Sequence, residues 1–372
     1  MSQRSVQRRN RASAQYRGDQ RVRWLQMPGI KRVKFVGLAM VVALLGTACG
    51  SGGGDDEGSS LSLDQVRMAM DNDDFMNQIG WIAAEKRYWP DLGFGEKAKV
   101  VATADYMAGL IGGDVWVAQG ESSDIWPATA EGSVDLKIIG VEKDTEAQFL
   151  GIRKGVDPNK LEGLRISGGA AGDRNIAVGR QALTAEGVDP DKMKWVSVPG
   201  GADDRLQVLL AGKIDVAVLQ PRHLTQLKKG GGTMIYENYK ALPQEVWVVT
   251  AKTMKENKDA VCAFVEGRVA AKQWLSAGKD HVTNRDAAIA LGKEYGHEPS
   301  AGEVEQWANE MTKNWSLDGG APAEGFDEWT RDMITAGDVP KGYKWRDHAD
   351  LSCLRQAQEK LKLKVNPKSE EG

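Results

Sequence analysis

The segment KLEGLRISGGAAGDRN, residues 160–175, indicates the fold class of this chain. It contains the short predicted strand Arg165–Ser167, then a glycine-rich turn, and helical spacing begins at Asn175. The alternation continues downstream: the predicted strands are Arg165–Ser167, Lys194–Val198, Asp215–Leu219 and Thr233–Tyr236, and the predicted helices are Asn175–Glu186, Asp203–Ala211 and Pro221–Lys229. Alternation of this kind predicts an α/β fold with mostly parallel sheets flanked by helices.

The chain on either side of this segment extends the pattern. Upstream, the predicted strands are Gln65–Met70, Lys99–Thr103, Val115–Gln119, Asp135–Val141 and Gln148–Arg153, and the predicted helices are Phe75–Tyr88 and Met107–Ile111. From Asn257 onward the spacing is helical, and Ser300 with Glu303 has the form of a capping box. Residues 61–372 are long enough for two domains, so we expect two α/β units and a helical C-terminal part.

The first 48 residues have the pattern of a secretory signal peptide. Residues 1–34 carry ten basic side chains and one acid, and the uncharged run FVGLAMVVALLG follows at 35–46. This run is shorter than the ~20 residues that a membrane-spanning helix needs. A basic flank, a short apolar core and small residues are typical of an export signal. Met27 would begin a signal of more usual length, so residues 1–26 are a candidate for a misassigned start.

Cys49 resembles the lipidated cysteine of a bacterial lipobox, because it follows Thr47 and Ala48 at the end of the apolar run; Gly46 stands where leucine is usual. We expect a lipid on Cys49 to anchor the chain to the extracytoplasmic face of the cell membrane. The alternative is an ordinary export signal in which Cys49 is incidental. Residues 50–60, GSGGGDDEGSS, contain nothing that a core would bury, so 49–60 is predicted to be a flexible tether.

Charge and cysteine usage narrow the class of partner and compartment. Residues 49–372 carry 39 basic and 51 acidic side chains, and this balance argues against a nucleic-acid partner. With Cys49 assigned to the lipid, Cys262 and Cys353 remain as an even pair in an oxidising compartment. We expect either a disulfide between them or two buried thiols.

Candidate ligand-binding residues lie at four polar or glycine-rich junctions between a predicted strand and a predicted helix. In open α/β sheets, ligands bind beyond the carboxyl ends of the strands, where helix N-termini offer free N–H groups. The candidates at these junctions are Asp71, Asn72, Gln119, Ser122, Ser123, Ser167, Gly168, Gly169, Arg174, Gln220 and Arg222.

The junction SGGAAGDR at 167–174 is the most informative of the four. Its glycines let a ligand approach the backbone closely, and Arg174 could pair with an anion. It matches neither the P-loop nor the dinucleotide-binding pattern. The alternative is a turn whose glycines serve only close packing of strand and helix. Asp74 follows Asp71 and Asn72 at the junction after the predicted strand Gln65–Met70, and for Asp74 the alternative to ligand contact is simple helix capping.

Catalytic and metal-binding patterns are absent from the sequence. The four histidines, His223, His281, His297 and His348, are scattered, with no H-x-x-x-H or H-E-x-x-H spacing. No G-x-S-x-G motif occurs either. We therefore expect no metal, no cofactor and no enzymatic activity.

Six stretches in a characteristic order resemble the solute-binding proteins of the SsuA/TauA/ThiY kind, the NMT1/THI5-like family. They are WIAAEKRY at 81–88, NKLEGLRI at 159–166, LLAGKIDVA at 209–217, NKDAVCAFV at 257–265, MITAGDVP at 333–340 and ADLSCL at 349–354. The resemblance covers most of 64–355. It departs from the family at Met107–Asp114, where Gly112 and Gly113 replace the usual spacing.

The resemblance implies a two-lobed, type II periplasmic-binding-protein-like fold that closes on its ligand like a hinge. Lobe one would be 61–155 plus 246–372, and lobe two would be 156–245. It also implies a monomer that captures a sulfonate-, nitrate- or pyrimidine-precursor-like solute for an ABC permease and its ATPase. An exported enzyme or a sensory surface lipoprotein on the same fold is the alternative.

The resemblance divides the candidate ligand residues between the lobes without fixing the charge of the ligand. Lobe two would supply Ser167, Gly168, Gly169 and Arg174, and lobe one would supply Asn72, Ser122 and Ser123. Arg174 and Arg222 would suit an anion, whereas Asp71, Asp73 and Glu121 would suit a cation or an amine.

Overall fold

The computed structural model describes residues 67–70, 74–95, 98–103, 105–132, 134–170 and 174–364. The strands are β1 (Arg67–Met70), β2 (Lys99–Ala102), β3 (Val117–Glu121), β4 (Leu136–Ile152), β5 (Arg165–Ser167), β6 (Lys194–Trp195), β7 (Val216–Leu219) and β8 (Thr233–Thr250). The α-helices are α1 (Phe75–Arg87), α2 (Tyr106–Gly112), α3 (Ser122–Glu131), α4 (Arg174–Ala185), α5 (Ala202–Leu210), α6 (Leu224–Lys229), α7 (Ala251–Glu256), α8 (Lys258–Leu275), α9 (Arg285–Glu294), α10 (Ala301–Lys313), α11 (Ala323–Ala336) and α12 (Ser352–Lys360).

The eight strands form one sheet in the order β2-β1-β3-β8-β4-β7-β5-β6. The first half-sheet, β2-β1-β3, is parallel, and so is the second half-sheet, β7-β5-β6. Between them, β8 and β4 run antiparallel to each other and to the strand on either side. The α/β class with parallel strands is confirmed at both ends of the sheet, and its antiparallel centre was not predicted.

The two long strands β4 and β8 cross from one half-sheet to the other. They pair from Leu136 opposite Thr250 to Ile152 opposite Thr233. The predicted strands at 135–141 and 148–153 are therefore parts of one strand, and the predicted strand Thr233–Tyr236 is the start of another. Register shifts at four places along the pair let it bend while the pairing continues.

The core of the first half-sheet is large and rich in aromatic rings. Trp81 of α1, Trp89 and Phe264 of α8 lie 5.5–5.7 Å apart between ring centroids and are buried. On the other face of the half-sheet, Trp126 stacks on Phe326 at 5.9 Å. Aromatic contacts of this kind add stability beyond the area they bury. These tryptophans therefore belong to the core.

The C-terminal helices pack back onto the first half-sheet. Cys262 of α8 and Cys353 of α12 form a disulfide with a Cα–Cα distance of 4.5 Å. Ala349, just before α12, pairs with Ile138 of β4. The predicted capping box is present at α10, where Ser300 Oγ accepts the N–H of Glu303 at 3.2 Å. Helices α8 and α12 thus form a layer against the first half-sheet.

Some predictions concern residues outside the described ranges. These are the signal peptide at 1–48, lipidation at Cys49, the tether at 49–60 and ligand binding by Asp71, Asn72 and Asp73. Within the part of the chain that the structure describes, no helix is both long and apolar enough to span a membrane.

Candidate functional site

A cavity of about 850 Å³ lies at the carboxyl ends of β3 and β7, between the two half-sheets. The first wall consists of the start of α1, the end of β3 and the crossing strands β4 and β8. Loops and helix starts around the second half-sheet form the second wall. The described lining includes Asp74, Phe75, Glu121, Lys143, Gln244 and Glu245 on the first wall, Asn175, Gly200, Asp203, Arg205, Gln220 and Arg222 on the second, and residues 296–300 with Glu303 at the rim. This is the place in a doubly wound sheet where ligands bind.

A row of three charged residues crosses the sheet at the floor of this cavity. Glu121 of β3 is the cross-strand partner of Glu245 of β8, which in turn is the partner of Lys143 of β4. Residues paired in this way project from the same face of the sheet. The two ends of the row differ. Lys143 Nζ lies 2.5 Å from Glu245 Oε1 and forms an ion pair with it, whereas Glu121 has the same charge as its neighbour Glu245.

Glu121 is held in a partly desolvated position. Burial raises the pKa of its carboxyl to about 7, and the negative charges of Glu245 and Glu146 add to this effect against the positive charges of Arg174 and Lys143. Its side chain nevertheless keeps 34% of its exposure. Glu121 is therefore a carboxyl group that faces the cavity and gains from any added positive charge.

Lys143 stays charged at this site. Burial alone would lower the pKa of Lys143, but Glu245 and Asp74 outweigh burial and raise it. Asp74 also caps α1, since its Oδ1 accepts the N–H of Asn77 at 2.8 Å. Capping and cavity lining therefore coincide at Asp74.

Gln119, a predicted ligand residue, is completely buried behind the row. Its Oε1 accepts the indole N–H of Trp81 at 2.7 Å, and its Nε2 donates to Glu245 Oε2 at 2.9 Å. Strand β3 continues to Glu121, and α1 covers the strand at Gln119. The structure thus gives Gln119 the role of positioning Glu245, one step away from the cavity.

Arg174, predicted to bind an anion, pairs with carboxylates of the protein. Its guanidinium lies 2.6 Å from Glu146 and 3.4 Å from Glu121, and it stacks over the ring of Trp329 at 4.4 Å. It lines a second cavity of about 620 Å³, together with Ser123. An anionic ligand would have to displace these carboxylates, so the geometry does not support a direct anion site at Arg174.

Arg222 and Gln220 do line the main cavity, within a network that belongs to the second wall. Arg222 Nη2 pairs with Asp203 at 3.0 Å, and Arg222 Nη1 donates to the side-chain oxygen of Gln220. The ring of His223 connects Gln220 to Asp203. Its Nδ1 accepts the backbone N–H of Gln220 at 3.1 Å, and its Nε2 lies 3.1 Å from Asp203 Oδ1. Burial lowers the pKa of His223. The hydrogen bond from His223 and the charge of Arg222 hold the pKa of Asp203 well below its usual range.

In the glycine-rich junction, close packing requires glycine at position 168. A Cβ at Gly168 would lie 2.6 Å from the carbonyl oxygen of Asn175, so only glycine fits there. Ser167 is buried, and its Oγ accepts the N–H of Gly169 at 3.2 Å. Asn175 is the one described residue at the end of this junction that lines the cavity of about 850 Å³. The described lining does not include Ser167, Gly168 or Gly169, nor Ser122, which is buried at the start of α3.

Helix α10, which begins at the rim, contacts both the second wall and the crossing strand β8 beside the cavity. Helix α10 contacts the short helix at 221–223 and α6. A Cβ at Gly302 would overlap the carbonyl oxygen of Arg222, and Glu305 accepts a hydrogen bond from Thr225. Asn309 Nδ2 donates to the hydroxyl of Tyr239 at 2.7 Å. These contacts fix the separation of the walls in this structure.

Several lining residues were missed by sequence reasoning. Gln244 and Glu245 lie in the part of β8 that was not predicted as a strand, and Lys143 lies in the gap between two predicted strands. Asp203 and Arg205 were placed in a helix without a role. In the described ranges, no group of three or more His, Cys, Asp or Glu residues is arranged to hold a metal ion.

Comparison with solved structures identifies the fold. The nitrate-binding protein NrtA from Synechocystis PCC 6803 matches with a TM-score of 0.61 at 13% identity, over 84% of this chain and 94% of that chain. A putative sulfonate-binding protein SsuA from Methylobacillus flagellatus KT matches with a TM-score of 0.60 at 14% identity, over 82% and 96%. A ligand-binding component of an ABC-type import system from Staphylococcus aureus, with zinc bound, has a TM-score of 0.58 at 12% identity, over 79% and 99%. The fold is that of the periplasmic binding proteins.

Within this class, residues 115–278 match the model of the family described as NMT1/THI5 like. This match confirms the resemblance that the sequence showed. No curated protein matches the chain.

Proposed function

We propose that this protein is the extracytoplasmic solute-binding component of an ABC importer, acting as a monomer that passes its solute to a permease with its ATPase. The observation that carries the proposal is the polar cavity of about 850 Å³ between the two half-sheets. Within the sheet, the β4–β8 pair is what joins the two halves. A cavity of this size between two units connected by two strands suits a small solute and a hinge motion.

The predicted lobes and export signals complete this proposal. Lobe one would be 61–155 plus 246–372, and lobe two 156–245, so one crossing would lie just after β4 and the other within β8. Residues 1–48 would direct export, and a lipid on Cys49 with the tether at 49–60 would keep the protein near its permease. The family resemblance favours binding over catalysis as the activity.

Solute capture can be tested without knowing the solute. Purified protein is incubated with a small-molecule extract of cells, separated by gel filtration and denatured, and released compounds are identified by mass spectrometry. We expect one compound in about equimolar amount that also raises the melting temperature by mass action. Retention of no compound would contradict the proposal.

Closure can be tested at Gly302, because α10 and the second wall meet there. Gly302→Ala places a methyl group against the Arg222 backbone, and overpacking typically costs about 1–3 kcal/mol. We expect solute affinity to fall about tenfold or more in calorimetric titration. The control is Gly112→Ala, where an added Cβ would meet nothing closer than 3.9 Å. Equal affinities for the two variants would argue against closure at this contact.

Anchoring can be tested by metabolic labelling. Cells producing the protein are supplied with radiolabelled palmitate, and we expect label in the wild type and in Cys353→Ser but not in Cys49→Ala. Label that persists in Cys49→Ala would exclude Cys49 as the lipid site.

A further inference from the structure

We propose that the solute is a cation carrying N–H groups, such as a primary amine or a guanidinium compound, and that Glu121 binds its charged group. This inference rests on the proposed function, because it names the chemical class bound in the same cavity. It departs from the anionic solutes in the names of the sulfonate- and nitrate-binding neighbours.

The lining of the cavity carries an excess of negative charge. Its described residues include six carboxylates and three cations. The carboxylates are Asp74, Glu121, Asp203, Glu245, Glu298 and Glu303, and the cations are Lys143, Arg205 and Arg222. In a cavity with low-dielectric walls, such an excess favours a positively charged ligand over a negatively charged one.

Each of the three cations is engaged by the protein. Lys143 pairs with Glu245 at 2.5 Å, and Arg222 pairs with Asp203 at 3.0 Å. Arg205 is 3% exposed, and its Nε donates to the carbonyl of Val218 at 2.9 Å. At Lys143 and Arg222, an anionic solute would have to compete with carboxylates already in place, at the cost of leaving those carboxylates without a partner.

Glu121 is in a different position. The nearest cation, Arg174, is 3.4 Å from its Oε2, but the same guanidinium is closer to Glu146, at 2.6 Å. The groups facing Glu121 from the neighbouring elements are Glu245 and Lys143 on one side and Arg174 and Glu146 on the other. Arg174 is thus closer to Glu146 than to Glu121, and a solute cation would give Glu121 a close partner of its own. The raised pKa of Glu121 agrees with a carboxyl group that has little positive charge near it.

The other lining groups favour N–H donors over a quaternary ammonium group. Recognition of quaternary ammonium ions relies on several aromatic rings around the charge. Phe75 supplies the one phenyl ring among the described lining residues, whereas Asn175, Gln220 and Gln244 supply amide oxygens. Amide and carboxylate oxygens accept hydrogen bonds from an amine or a guanidinium group, and choline offers no such N–H donors.

The first experiment is calorimetric titration of the purified protein with agmatine, putrescine, choline, taurine and nitrate. We expect agmatine or putrescine to bind, and choline, taurine and nitrate to give no heat of binding. Glu121→Gln should weaken cation binding about tenfold or more, because it removes a charge-assisted hydrogen bond. Glu121→Asp should retain more affinity than Glu121→Gln. Glu162→Gln, which alters an exposed pair with Lys192, is the matched control and should bind as the wild type.

The extract experiment separates failure of this inference from failure of the proposed function. A retained compound that is cationic at neutral pH and is lost from Glu121→Gln supports the inference. A retained anion, or binding of taurine or nitrate, overturns the inference and leaves solute binding intact. Unchanged cation affinity in folded Glu121→Gln overturns the role of Glu121. If neither the extract nor the panel yields a ligand, the proposed function fails and this inference fails with it.

Discussion

Glu142 and Lys143 are consecutive in β4, yet they belong to two very different charge networks. Glu142 is completely buried and pairs with Arg268 at 2.7 Å and Lys272 at 3.4 Å, both also completely buried. Lys143 pairs with Glu245 beside the solute cavity and is followed across the sheet by the partly exposed Glu121. The first is named here the closed network and the second the open row.

The closed network is surrounded by aromatic rings. The indole N–H of Trp247 donates to Glu142 Oε2 at 2.7 Å, and the guanidinium of Arg268 lies 4.5 Å from the ring centre of Trp81. Burial alone would raise the pKa of Glu142, but Arg268 and Lys272 reverse the effect and lower it. The comparison teaches that Glu142 receives both of its counter-charges from buried side chains of the protein, whereas Glu121 shares its cation with Glu146 and faces a cavity.

The largest effect is expected when the closed network is broken. Glu142→Gln leaves two buried cations without a carboxylate, and removal of one partner from a buried pair costs about 3–5 kcal/mol. Chemical denaturation should show this loss in the free energy of unfolding. Glu162→Gln, in an exposed pair, should lose less than about 1 kcal/mol. A loss at Glu142 no larger than at Glu162 would mean that the network contributes little to stability.

The same kind of deletion in the open row should cost less. Lys143→Met leaves Glu245 with Gln119 as a hydrogen-bond donor and with the cavity as a source of water, so we expect a loss of about 1–3 kcal/mol. It also removes a positive charge from the floor, so agmatine or putrescine should bind more tightly in titration. A stability loss equal to that of Glu142→Gln would remove the distinction between the two networks.

The smallest effect concerns the pH dependence of stability at Glu121. Its pKa in the folded protein, about 7, lies above the ordinary value, so the ionised form is disfavoured by folding and stability falls as pH rises toward and through 7. Glu121→Gln should therefore melt at a higher temperature than the wild type at pH 8. At pH 4, where the carboxyl is mostly protonated in both states, the melting temperatures of the variant and the wild type should differ little.

Melting curves of both proteins between pH 4 and pH 8 measure this difference. A difference that does not change with pH would show that Glu121 titrates normally in the folded protein.

Local sequence pattern was sufficient for most of the elements but not for the crossing strands. Arg165–Ser167 is a strand as predicted, and the helix predicted from Phe75 ends one residue earlier than expected. Strand β8 was missed beyond Tyr236 because Lys240, Pro243 and Gln244 interrupt its apolar pattern. Lys240 is stabilised by ion pairs with α11, which is distant in sequence, and a local pattern cannot show such a partner.

The sequence predicted where the candidate site lies, at the carboxyl ends of the strands, better than it predicted which residues line the cavity. Junction residues Gln220 and Arg222 do line the cavity, whereas Gln119 is covered by α1, and Arg174 is paired with Glu146. The row of Glu121, Glu245 and Lys143 depends on the register between three strands. No spacing in the sequence fixes this register, because the three residues come from separate parts of the chain.

The β4–β8 pair has a consequence for the order in which the protein folds. The chain enters the second half-sheet through β4 and leaves it through the adjacent β8, so every strand of that half exists once residue 250 has been synthesised. The first half-sheet must wait for α12 to pack on α8 and for Ala349 to pair with Ile138. Contacts that join distant parts of a chain form slowly. We expect the second half-sheet to acquire native structure first on the emerging chain, while the first remains open to chaperones until its C-terminal helices arrive.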